Sequence, residues 1–263
     1  MNKMQWVVIV SAVALFSVLY FGFDTKPSSH EAIEEKRTLT AVSTDAGSLV
    51  KEAKKSLEPQ QMAILNGLEV DYQDAASDSV RIERLKELSS NWYDFGRADV
   101  AGYYAEEVAE LVGDEDAWSI AGTTYSICLQ RQADEKTKEF CAERAVGALE
   151  TAASLNPDNL QHKINLALVY TERPPQDNPM KGVLMLVEMN KNNPENVAVL
   201  TQLGRLAIKT GQFDKAVERL GKVVELEPTN RPANCLLATA YGNLGNQERA
   251  DFFTKNCEAL SKN

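Results

Sequence analysis

The stretch NPENVAVLTQLGRLAIKTGQFDKAVERLGKVVELEP, residues 193–228, decides the fold. Its two prolines, Pro194 and Pro228, stand 34 residues apart. Between them come Leu200-x2-Leu203-Gly204-x2-Ala207, then Gly211, then Ala216-x3-Leu220. Apolar residues three and four apart line one face of a helix, so each half reads as amphipathic helix. Gly211-Gln212 marks a turn between the two, and the proline closes the second. Strand alternation is absent. The stretch is one helix–turn–helix unit.

The unit recurs. Asn234-x2-Leu237-Ala238-x2-Tyr241, Gly245 and Ala250 follow it in register. Upstream, Trp118-x2-Ala121-Gly122-x2-Tyr125 opens a unit that closes with Ala145-x3-Leu149 and Asn156-Pro157. Leu166-Ala167-x2-Tyr170 and Gly182-x3-Leu186 fill the unit between Pro157 and Pro194. A degenerate unit reads Leu85, Leu88-Ser89, Trp92, Gly96, Ala101 and Gly113. A fixed period of this length is the signature of a repeat architecture.

These residues resemble the tetratricopeptide repeat (TPR) pattern W-x2-L-G-x2-Y…A-x3-F…P, with Leu for the Trp and the Phe. The resemblance covers roughly residues 82–260. It implies an all-α fold, a right-handed superhelix of about four to five repeats. Small residues (Gly122, Ala167, Gly204, Ala238) let each first helix approach the second at Ala145, Gly182, Ala216 and Ala250. No pair buries its apolar face alone, so neighbours must stack. Two units depart from the period. Pro157 to Pro194 is 37 residues, with the surplus in the Pro-rich loop Glu172–Pro179. The unit from Trp118 to Pro157 is longer still, which predicts a protruding hairpin tip over Leu129–Glu139.

Before the repeats, Met4–Phe23 is a run of 20 residues without a charge. At about 1.5 Å per residue it matches a hydrocarbon core of roughly 30 Å. Trp6 and Tyr20 suit the two interfaces. Leu19-Tyr20-Phe21-Gly22-Phe23 is too bulky for signal cleavage, and no Cys ends the run. The expected organisation is a transmembrane anchor over 1–23, a stalk over 24–44, an N-terminal helical region over 45–81 and a TPR domain over 82–263. Lys3 against the acidic Glu31, Glu34 and Glu35 orients the body outward. The expected placement is a single-pass protein of the bacterial inner membrane, held through residues 4–23, with residues 24–263 in the periplasm.

The 263-residue chain carries 28 Lys and Arg against 38 Asp and Glu, a net charge of −10. That balance repels phosphate backbones and argues against a nucleic-acid partner. Its two histidines, His30 and His162, and four dispersed cysteines have no metal-ligand spacing. No nucleophile elbow and no Gly-rich phosphate loop is present. His162 is expected exposed or capping, and Glu106-Glu107 on a solvated face. The expectation is a non-enzyme with no metal and no cofactor. In the antiparallel helix pairs, Cys128 and Cys141 lie about 3 Å apart along the axis, Cys235 and Cys257 about 6 Å. A bridge needs Cα atoms within roughly 7 Å, so the first pair is favoured, and four reduced thiols remain the alternative.

In TPR proteins the first helices line a concave groove that docks peptides or proteins. Carried onto this chain, the groove candidates are Thr123, Asn165, Leu168, Thr201, Gln202, Arg205, Lys209, Thr239 and Asn243. Arg205 and Lys209 share a face and would form a basic spot for a carboxylate. The carboxylate clamp of chaperone-binding TPR domains is not matched. Its places read Ser119, Thr123, Asn165, Ala198 and Gln202, of which Asn165 alone agrees. The expected function is a membrane-anchored scaffold or adapter for a protein or peptide partner, with a chaperone-like role in assembly or secretion as one form. The alternative is a self-assembling protein, a homo-oligomer or an array whose groove holds its own chain. An exposed Tyr93 and Tyr103 together would mark such a patch.

Overall fold

The computed structural model describes residues 46–131 and 134–261. Twelve helices and no strand are present among them. In chain order they are α1 (Ala46–Lys54), α2 (Pro59–Gln73), α3 (Asp78–Asp94), α4 (Ala98–Val112), α5 (Glu115–Gln130), α6 (Glu135–Leu155), α7 (Leu160–Glu172), α8 (Lys181–Asn192), α9 (Val197–Lys209), α10 (Phe213–Leu226), α11 (Arg231–Asn243) and α12 (Gln247–Ala259). From α2 onward each helix packs on the next, and α1 packs on α4. The pairs α3/α4 through α11/α12 are the repeats read from the sequence.

Local chemistry fixes the helix ends. A Pro-x-Asn triplet recurs at 157–159, 194–196 and 228–230. The proline stops one helix and the asparagine caps the next: the Asn196 and Asn230 side chains each accept from the backbone N–H three residues on, at 3.0 Å. Within pairs, Gly211 and Gly245 turn the chain with φ of +71° and +75°, a region that favours glycine. The stretched unit behaves as its length predicts. α6 runs for 21 residues; α5 extends to Gln130 and α6 begins at Glu135. The loop from Arg173 to Met180 is non-helical.

Packing follows the small-residue seam. A Cβ added at Gly204 would stand 2.5 Å from Leu220 Cγ on α10, and one at Gly122 2.5 Å from Leu149 Cγ on α6. In the α7/α8 pair the glycine changes sides: Gly182 of α8 lies against the backbone of Ala167 and Thr171 on α7. The resulting core is serial. One cluster joins Leu49, Ala53 and Leu65 to Trp92, Tyr125 and Leu149. A second holds Ile164, Leu186 and Leu203, and a third Leu220, Leu237 and Phe253.

Among the described residues, no helix is long and apolar enough to cross a membrane. The longest, α6, carries Glu135, Lys136, Glu139, Glu143, Arg144 and Glu150 along its length. The expected span at residues 4–23 and the stalk lie outside the described residues. The placement as a single-pass inner-membrane protein with a periplasmic domain is corrected accordingly: no described helix provides the crossing it requires.

The structure joins Cys128 to Cys141 and Cys235 to Cys257, with Cα separations of 6.2 and 5.0 Å, and leaves no cysteine free. Unreduced, unfolded protein is therefore expected to show no reactive thiol, and reduced protein four; thiol titration checks this. Urea denaturation should also separate two glycines. Gly182→Ala meets rigid backbone and should cost about 1–3 kcal/mol, whereas Gly204→Ala meets only the Leu220 side chain and should cost less.

Candidate functional site

The nine groove candidates all lie on first helices of the pairs, α5, α7, α9 and α11. The structure treats them unequally. Thr123, Thr201 and Thr239 return their hydroxyls to the carbonyls of Ser119, Val197 and Cys235 on their own helices. Thr201 is also buried, so it offers nothing to a partner. Asn243 donates to Thr239 O. Leu168 is half-buried against the Ile164–Leu203 core.

The middle of the face is different. Asn165 Oδ1 accepts from Gln161 Nε2 at 2.8 Å, and no acceptor among the described residues takes Asn165 Nδ2. The Gln202 Oε1 atom is buried without a hydrogen-bond partner. Arg205 is exposed and makes no ion pair among the described residues. Lys209 Nζ sits 3.2 Å from both carboxylate oxygens of Glu172 on α7. The expected two-cation spot is thus corrected to one free guanidinium beside a neutralised pair. Glu172 was missed because it belongs to the preceding unit.

Two further groups depart from expectation, each because its partner comes from another helix. His162 is buried rather than exposed, with Nε2 3.0 Å from Glu115 Oε2. Asn156 Nδ2 donates to the other Glu115 oxygen at 2.9 Å, so Glu115 ties the start of α5 to the start of α7. Hydrogen bonds from Asn156 and His162 hold the Glu115 carboxyl below its ordinary value. Glu106 is buried rather than solvated. It accepts from Tyr125 Oη at 2.8 Å and from Arg144 at 3.1 Å, which joins α4, α5 and α6. Burial, then the Glu106 charge, pushes the Tyr125 hydroxyl pKa up. Neighbouring Glu107 does remain half-buried, and burial raises its carboxyl above the usual range. These are structural ties between neighbouring helices.

Tyr93 and Tyr103 do not form a joint patch. Arg131 covers the Tyr93 ring at 4.9 Å, and Tyr103 is half-buried beside Tyr104. Met180, Leu184 and Val187 are exposed apolar residues along one side of α8 and its leading turn.

The tetratricopeptide repeat pattern matches residues 197–230, the α9/α10 pair through Asn230, which caps α11. The solved structure of a thermophilic TPR protein in Thermus thermophilus superposes with a TM-score of 0.51 at 19% identity, over 69% of this chain and 92% of that one. The fold is a TPR array. MamA from Desulfovibrio magneticus RS-1 matches with a TM-score of 0.45 and 16% identity, over 72% of this chain and 98% of that one. MamA from AMB-1 matches with 0.39 and 23%, over 70% and 94%. Both likenesses are too loose to bear on function. No curated protein matches the chain.

The Glu115 tie of the TPR array has a pH signature. A depressed carboxylate contributes stability in full above the ordinary glutamate value, about 4.3, and loses it as the pH falls through the lowered one. Glu115→Gln should therefore melt below the parent protein at about pH 7. The gap should narrow as the pH falls below that ordinary value. Thermal unfolding followed by circular dichroism checks both points.

Proposed function

We propose that the chain is a non-enzymatic scaffold that holds a protein partner on the first-helix face of its TPR array. One observation carries the reading. The core consumes the seam positions, while the mid-face groups Asn165, Gln202 and Arg205 keep hydrogen-bonding and charge capacity that no described residue uses. Unused polar capacity on a rigid scaffold suits recognition, because the array presents it without reordering. The acidic surface, net −10, limits adventitious anion binding and favours partners matched to this face.

In a dedicated adapter the face holds one partner. In a chaperone-like protein it holds many unfolded chains in turn. Photocrosslinkers placed at Asn165 and at Leu184 in living cells separate these forms and test the reading. The scaffold reading expects products from Asn165 and few from the outer face at Leu184. One dominant product identifies an adapter, and a broad smear identifies a chaperone-like role. Products from Leu184 alone, only a second copy of this chain, or none from Asn165 would overturn the assignment of this face.

A further inference from the structure

The two disulfides stand in different settings. Cys128 and Cys141 are both buried, in the cluster that includes Tyr125, Phe140 and Leu149. The helices that carry them, α5 and α6, each pack on α4 and α7 as well as on each other. Cys235 and Cys257 are only half-buried, on α11 and α12. α12 packs chiefly on α11, and its buried side chains are Ala250 and Phe253. Beyond Phe253, the covalent and hydrogen-bonding ties from α12 to α11 among the described residues are two. Asn256 Nδ2 donates to Asn234 Oδ1 at 3.4 Å, and Cys257 is bonded to Cys235. Thr254, Lys255, Glu258 and Ala259 are exposed.

We infer that the Cys235–Cys257 bond is a site of thiol–disulfide exchange with a dithiol reductant, and that its reduction releases the C-terminal half of α12 from α11 while Cys128 and Cys141 stay joined. The exchange balances as follows. A thiolate of the reductant attacks one sulfur of the bond. The S–S bond breaks as a mixed disulfide forms, and the other cysteine leaves as a thiolate that takes up a proton. The second thiolate of the reductant attacks the mixed disulfide and displaces the first cysteine, which is protonated in turn. Two electrons pass to the protein, and the reductant ends as its own disulfide.

Access and support both select this bond. Exchange requires that a thiolate reach a sulfur, so a half-buried bond reacts in the folded protein. A bond buried between helices that are packed on two further neighbours must wait for that packing to open. A crosslink restrains a helix by restricting its detached states. Once this one is broken, a single long hydrogen bond holds the end of α12. Asp251, Lys255 and Glu258 face solvent, so no second neighbour takes over. The first half keeps its place, because Phe253 stacks on Tyr241 with ring centroids 5.6 Å apart and Ala250 remains buried. Since Cys235 belongs to a first helix, the change of state reaches that face of the array.

The test treats folded, full-length protein with graded dithiothreitol, quenches with iodoacetamide and maps the labelled cysteines by mass spectrometry. Cys235 and Cys257 should label at least about tenfold faster than Cys128 and Cys141. Hydrogen exchange on the selectively reduced protein should speed the amides of residues 254–259 by at least about tenfold and leave α5 and α6 unchanged. The double variant Cys235→Ala, Cys257→Ala should show the same fast exchange without reductant. Equal or slower reduction of Cys235–Cys257, resistance of both bonds in the folded protein, unchanged exchange over 254–259, or acceleration throughout the array would each overturn the inference.

Discussion

Everything in this array depends on how near the two helices of a pair can come. Helix axes approach to the lower end of their usual range only where a side chain is missing. At Gly204 the Leu220 side chain occupies the place a Cβ would take, and at Gly122 Leu149 does the same. The α7/α8 pair reaches the same proximity with the glycine on the second helix, at Gly182. The requirement is thus on the pair and not on a position. One partner gives up its Cβ and the other fills the space.

Serial packing follows from that contact. Each pair shows a leftover apolar face, which only a neighbouring pair can cover. Interruption of this demand is visible at α12. Val217, Gly221 and Val224 of α10 lie toward the next pair, with the two valines packed in its core. Their equivalents 34 residues on are Asp251, Lys255 and Glu258, all exposed. Charged side chains at those places remove the drive to stack, so α12 presents a polar end face.

Much of this was legible in the sequence because repetition multiplies a weak signal. Single matches to a small-residue spacing mean little, but boundary prolines, seam residues and turn glycines kept one register through several units. The ties at Glu106 and His162 were not legible. Helical periodicity describes one helix at a time, and Tyr125 lies 19 positions from Glu106, Glu115 47 from His162. On periodicity alone each looked like a surface residue. The Lys209–Glu172 pair did leave a trace. The two residues occupy the same place in successive units, and comparing units column by column exposes an opposite-charge step there. The offset ranking of the cysteine pairs failed to anticipate the closer approach of Cys235 and Cys257, because it measured displacement along the axis and ignored the separation of the axes.

Departure from the period and recognition capacity fall in the same place. The unit between Pro157 and Pro194 is the one lengthened in the loop between α7 and α8, and that loop carries Pro174, Pro175 and Pro179. At the joint that follows it, α7 and α9 meet less closely than α5 and α7 or α9 and α11 do. The Lys209–Glu172 pair links α7 and α9 through solvent-exposed side chains. An exposed pair of this kind adds little stability, typically below about 1 kcal/mol. Its larger consequence is electrostatic: it neutralises Lys209 and leaves the exposed Arg205 guanidinium without an ion pair among the described residues.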